Sequence, residues 1–178
     1  VYTFGDLDVE VFYTHSDGKV SDLSWSPDGR WLTYVHDGNL HNISIFCAGD
    51  CHRQLTTVGG FFDPAWSPDG SQLVVGRESN LYIYDLNFDT VGQVEEPISL
   101  NMVSEVQLTN NDLVREGAIS WSAKGEFITF NFESDGVLSV YRLDVPFDSP
   151  PVQLVTFARD ADISPYVQCD DPNIRSRI

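Results

Sequence analysis

Short apolar runs, each bounded by Gly, Asn or Asp, recur along this 178-residue chain at intervals too short for helices. Trp31-Leu32-Thr33-Tyr34-Val35 is followed by the break Asp37-Gly38-Asn39. An alternating run, Ile43-Ser44-Ile45-Phe46, comes next, and Gln54-Leu55-Thr56 closes the unit. The same order returns as Leu73-Val74-Val75, Glu78-Ser79-Asn80, Leu81-Tyr82-Ile83-Tyr84 and Gln107-Leu108-Thr109. A third pass reads Phe127-Ile128-Thr129-Phe130, Ser134-Asp135-Gly136, Leu138-Ser139-Val140-Tyr141 and Gln153-Leu154-Val155. Runs this short, rich in β-branched and aromatic residues, predict strands. No helical periodicity of useful length interrupts them, so the chain is expected to be all-β.

Each unit opens on the same turn. Ser24-Trp25-Ser26-Pro27-Asp28-Gly29 recurs as Ala65-Trp66-Ser67-Pro68-Asp69-Gly70 and, weakened, as Ser120-Trp121-Ser122-Ala123-Lys124-Gly125. Pro27 and Pro68 preset φ for the first corner, while Asp28 and Asp69 suit the second. Gly29, Gly70 and Gly125 take a positive φ that a Cβ would penalise. The tryptophans ahead of the turns offer apolar surface for packing between neighbouring units. They stand 41 and 55 residues apart. The first spacing matches the ~40–45 residues of a four-stranded propeller blade. The second is expected to contain an inserted loop over 87–104, rich in Asp, Glu, Gly and Pro.

The terminal segments complete the pattern. Val1–Leu7 reads like Leu81–Leu86, and Asp8–Thr14 like Ser104–Thr109, so residues 1–18 supply the outer half of a blade. Ile163–Gln168 lines up with Phe62–Ser67, which makes 163–178 an inner half-blade with Cys169-Asp170-Asp171 in place of the turn. Blades are expected over 19–61, 62–117 and 118–162. Three arrangements fit: a stretch of a longer propeller, copies pairing through their half-blades, or a closed four-bladed ring. The absence of an apolar second strand at Arg175-Ser176-Arg177 counts against the last two. The chain opens on Val1 without a Met, which fits either a processed chain or a stretch of a longer one.

Trp-Ser-Pro-Asp-Gly, the following strands and Gln-Leu-Thr together resemble the WD-like repeat of the TolB family, over most of Val20 to Thr156. Similar repeats occur in the propellers of prolyl-oligopeptidase-type and tricorn-type proteases. The resemblance implies a non-enzymatic, extracytoplasmic β-propeller that presents a protein- or peptide-binding face. Two alternatives stay open: a subunit assembling with copies of itself through half-blades, and the gating propeller of a larger peptidase.

Charge narrows the partners. Ten Lys and Arg face 27 Asp and Glu, a net charge of −17. Such a surface repels nucleic-acid backbones and anionic lipid, and no apolar run reaches the ~18 residues of a membrane span.

Candidate chemistry is sparse. No Gly-x-Ser-x-Gly elbow, phosphate-cradling loop or dinucleotide fingerprint is present, so neither catalytic residues nor a cofactor is expected. His15, His36, His41 and His52 are scattered without metal-ligand spacing, and no metal is expected. Asp6/Asp8, Asp160/Asp162 and Asp170/Asp171 match no calcium loop and read as solvated turns. Asn42-Ile43-Ser44 is formally a glycosylation acceptor, but inside a strand. Glu95, Glu96, Pro97 and Met102 in the expected insertion are the candidate binding residues, against a bland surface loop.

Cys47 and Cys51 flank a hairpin tip of Ala-Gly-Asp, which can bring their Cα atoms within disulfide reach. We read them as a disulfide, and so as a mark of an oxidising compartment. Free thiols, or a metal or redox site with His52 as the nearby further ligand, are the competing readings. Cys169 has no evident partner.

Overall fold

The structure is a computed structural model that describes residues 2–4, 7–9, 13–45, 52–90, 97–110, 118–134 and 137–156. Fourteen strands are found among them, and no helix. Strands β1 (Tyr2–Phe4) and β2 (Leu7–Val9) form an antiparallel pair. The first four-stranded sheet runs in chain order through β3 (Val20–Trp25), β4 (Trp31–His36), β5 (Asn39–Ser44) and β6 (His52–Gln54). The second comprises β7 (Phe61–Trp66), β8 (Gln72–Arg77), β9 (Asn80–Thr90) and β10 (Pro97–Gln107). The third comprises β11 (Ser120–Trp121), β12 (Phe127–Ser134), β13 (Val137–Asp144) and β14 (Val152–Thr156). Every ladder is antiparallel, and β7 lies against both β3 and β11. Three four-stranded antiparallel sheets set face to face around their first strands are propeller blades that do not close a ring. The inner half-blade expected over 163–178 lies outside the described residues.

The signature turns hold for a reason beyond the one the sequence offers. Gly29, Gly70 and Gly125 adopt φ of 72°, 74° and 72°. In each copy the glycine N–H donates to the serine carbonyl three residues back, at 2.9 Å. The serine side chain then does the closing. Ser26 Oγ accepts from Trp31 N and Ser67 Oγ from Gln72 N, both at 2.9 Å, while donating to Asp28 and Asp69 at 2.5 and 2.6 Å. Ser122 Oγ accepts from Glu126 N and Phe127 N although Lys124 replaces the aspartate. A second repeated device sits at the end of the blade. Thr56 Oγ1 accepts from Leu40 N and Thr109 Oγ1 from Leu81 N, each at 2.9 Å, which fastens the Gln-Leu-Thr run to the third strand.

Two cores lie between the blades. Trp31, Val35 and Leu40 of the first sheet meet Trp66, Leu73 and Val75 of the second. Val74, Leu81 and Ile83 on the second sheet's other face meet Ile128, Phe130 and Leu143 of the third. Because β8 is covered on both faces, Leu73, Val74 and Val75 are all fully buried, and that strand reads as an unbroken apolar run. Two of the three signature tryptophans reach back into the preceding blade. Trp66 Nε1 donates to Thr33 Oγ1, and Trp121 Nε1 to the Ala65 carbonyl, both at 3.1 Å. Val74 stands in the second blade where Thr33 stands in the first and has no oxygen to offer, so the backbone accepts instead.

Of the insertion expected as a loop over 87–104, the described residues 87–90 and 97–104 are strand instead. β8 pairs with β9 only as far as Asp85, and beyond it Leu86–Thr90 pairs with Pro97–Met102 as a two-stranded ribbon. Leu86, Phe88 and Met102 pack against the core between the first two blades, with the Phe88 ring centroid 6.1 Å from that of Trp31 and 6.5 Å from that of Trp66. Alternating apolar positions anchored on two tryptophans outweigh the polar composition that suggested a loop.

Candidate functional site

The histidines that lie scattered in the sequence converge on the first blade. Tyr34↔His41 and Ile43↔His52 are direct cross-strand partners, so Tyr34, His36, His41, Ile43 and His52 share the face turned away from the second blade. The segment Tyr13–Gly18 crosses this face. It turns into β3 at Gly18, whose φ is 83° and whose missing Cβ leaves room for the His36 ring. Lys19 N donates to Asp37 Oδ1 at 3.0 Å and Asp37 N to the Lys19 carbonyl at 3.1 Å.

Six rings pack together here. His15 stacks on His36 with centroids 3.7 Å apart, and His36 Nε2 donates to the Asp17 carbonyl at 2.8 Å. His15 Nε2 is 2.9 Å from the Tyr34 hydroxyl. His41 Nδ1 and His52 Nε2 stand 2.8 Å apart, and Tyr13 stacks on His52 at 4.1 Å. One nitrogen each from His15, His41 and His52 lies within 4.8 Å of the others. His41 is buried, and that burial, reinforced by His52, His15 and His36, pushes its pKa down to about 4. Burial, and then His36, also lower His15, against opposing pulls from Asp17 and Asp37. Both rings are therefore neutral near pH 7. Burial raises the Tyr34 phenol, which stays protonated. A cleft of about 710 Å³ opens beside the cluster, lined by His15, Val20, Leu23, Leu32, Tyr34 and Ile43.

The signature residues lie in the turns and along the seams between blades. Trp66 is buried and Trp121 half-buried, whereas Trp25 is 53% exposed on the open face of the first blade. Pro27 packs toward Gly70, and Pro68 toward Gly125, so successive turns nest. Among the candidate binding residues, Pro97 begins β10, Met102 is half-buried against the core rather than presented on a loop, and Glu95 and Glu96 lie outside the described residues. Cys47, Cys51 and Cys169 lie outside them as well, as do Asp6, Asp160, Asp162, Asp170 and Asp171. Asn42 is fully buried, so its side chain is closed to glycosylation in the folded chain.

Repeated four-stranded blades with this turn define the protein as a β-propeller of the TolB-like, WD-like kind. The model of the dipeptidyl peptidase IV N-terminal region matches residues 47–148, and the chain belongs to that family. The WD domain, G-beta repeat model matches residues 8–52. No curated protein matches the chain. Among solved structures it is similar to TolB from Acinetobacter baumannii, with a TM-score of 0.59 at 16% identity over 77% of this chain and 32% of that one. It is equally similar to a chain of the nidogen/laminin complex, with a TM-score of 0.59 at 8% identity over 78% of this chain and 49% of that one. The RRP9 WD40 repeats give 0.51 at 15% identity, over 83% and 40%. The chain thus spans about a third to a half of the length of these propellers, and the likeness is one of fold.

Among the described residues, no helix is long and apolar enough to cross a membrane.

Proposed function

We propose that this stretch of propeller is a non-enzymatic scaffold for a protein or peptide partner, working outside the cytoplasm. The β9–β10 ribbon carries the reading. Its strands continue past the last β8 pairing, yet Phe88 and Met102 hold its base on the core between two blades. A rigid base under a projecting arm suits recognition, because little ordering entropy is left to lose on binding. One similar structure comes from a complex of two proteins, nidogen and laminin, which supports propeller surfaces of this kind as docking faces. Replacing residues 91–96 by a two-residue Asn-Gly turn tests the assignment. A partner cross-linked by the intact chain should be lost with the shortened arm while the unfolding curve is unchanged. Equal capture by both chains would discard the arm as the binding element.

The extracytoplasmic placement leans on Cys47 and Cys51. A thiol titration of the unfolded, unreduced chain should find one free thiol, and three would remove that support.

A second reading, the gating propeller of a larger peptidase, draws on the family match, which is named for the N-terminal region of a peptidase. The parent reading frame separates the two, since a catalytic domain fused to these blades would favour the gate.

A further inference from the structure

We propose that His15, His41 and His52 form a binding site for one divalent transition-metal ion of the zinc class. Three imidazole nitrogens gathered within 4.8 Å are an unusual use of a blade face, where apolar side chains otherwise meet the neighbouring blade. In tetrahedral zinc sites with Zn–N bonds of 2.0–2.1 Å, ligand nitrogens lie about 3.3 Å apart. The 2.8 Å between His41 Nδ1 and His52 Nε2 is close to that value, so this edge of the triangle needs to open by only about half an ångström. The His15 nitrogen lies within 4.8 Å of the other two, which leaves at most about 1.5 Å to close.

The surroundings fit a cation. Imidazole binds metal as the neutral ring, and His41 is buried with its Nδ1 beside His52 Nε2. The Tyr34 hydroxyl fixes the His15 ring from one side and the His36 ring stacks on it from the other, the kind of outer support that orients metal-binding histidines. An all-nitrogen donor set favours zinc, copper or nickel over calcium or magnesium, which take oxygen. The net charge of −17 raises the local concentration of any cation. Three protein ligands leave a fourth position, and the cleft beside His15 and Tyr34 has room for a water or a partner's side chain there. Bound metal would tie the segment before the first blade to β5 and β6.

The test is calorimetric titration of the EDTA-treated, dialysed chain with zinc chloride at pH 7.5, with cobalt absorption as a second readout of nitrogen coordination. One ion per chain is expected. His15→Gln and His41→Gln should each weaken binding by more than ~100-fold, beyond what loss of a supporting group alone typically removes. The double variant Cys47→Ser/Cys51→Ser should bind as the parent does. Should His41→Gln not fold, as judged by circular dichroism, His15→Gln decides alone, because residue 15 lies outside the sheets. No saturable binding below about 100 µM zinc, unchanged binding in His15→Gln, or loss in the cysteine double variant would each overturn the assignment.

Discussion

The serine of the signature turn is the residue whose role the sequence conceals. Pro, Asp and Gly announce themselves through backbone preference, but a serine before proline signals nothing until its hydroxyl is seen accepting an N–H from five residues ahead. Ser67 is buried, and Ser67→Ala leaves the Gln72 N–H and the Asp69 carboxylate each short of a partner. That change should cost about 1–3 kcal/mol in a urea unfolding series. The third turn shows the converse. Ala123 stands where Pro27 and Pro68 stand, and Ala123→Pro should raise stability by about 0.4–1 kcal/mol through a stiffer unfolded chain. A loss in the same series would mean that its backbone differs from the other two turns. Hydrogen bonds from Ser67 and Ser71 hold the Asp69 carboxyl below its ordinary range, which ties the second turn to its ionised form.

Among the elements, the strands were legible and the ribbon was not. Runs of β-branched and aromatic residues mark β4, β8 and β13 directly, whereas β5 begins at Asn39, four residues ahead of the Ile43–Phe46 run that predicts it. Asn87, Asp89 and Pro97 pointed to a loop, and the stabilising contacts of Phe88 on Trp31 and Trp66 are between residues far apart in sequence. Gly76 was equally silent. It lies in the interior of β8 opposite Phe62, whose ring fills the space a Cβ would need. Gly76→Ala should therefore destabilise by about 1–3 kcal/mol in spite of alanine's better strand entropy. The second blade is also pinned by Arg77. Its guanidinium bonds Glu105 twice, at 2.8 and 3.0 Å, and lies 3.9 Å over the Tyr82 ring, while Tyr84 donates to the same carboxylate at 2.5 Å. Arg77 first, then Tyr84, lower the Glu105 pKa. A depressed carboxylate contributes stability above its unfolded value of about 4.5 and loses it as pH falls through the folded value. Glu105→Gln should accordingly flatten the acid limb of the stability–pH curve below about pH 5. Glu105 is half exposed, so the effect should be about 1 kcal/mol. An unchanged acid limb would show that the cluster adds nothing.

For the molecule as a whole, the propeller was legible because its repeat is covalent, whereas the histidine cluster depends on register. Tyr34 and His41 become neighbours only once the β4–β5 hairpin closes at Asp37-Gly38, and His52 joins through a third strand and His15 from outside the blade. No linear spacing rule sees such a set, although a register drawn through that hairpin would have paired two of its members. Position in the stack also decides what a tryptophan is worth. Trp66→Ala should cost about 3–5 kcal/mol by opening the core between two blades. Trp25→Ala, on a side chain already 53% exposed, should cost far less in the same assay. Similar losses would mean that the open face is covered in solution. The backward reach of these tryptophans has a consequence for descent. Each repeat carries a donor on its first strand and an acceptor for the next repeat's donor, as Thr33 serves Trp66. Thr129, at the equivalent position of the third blade, holds a buried hydroxyl with no hydrogen-bond partner among the described residues. Duplicating one such unit in the gene therefore yields two units that already fit each other in the right order. A lineage can lengthen or shorten its ring by whole blades without reinventing a single joint.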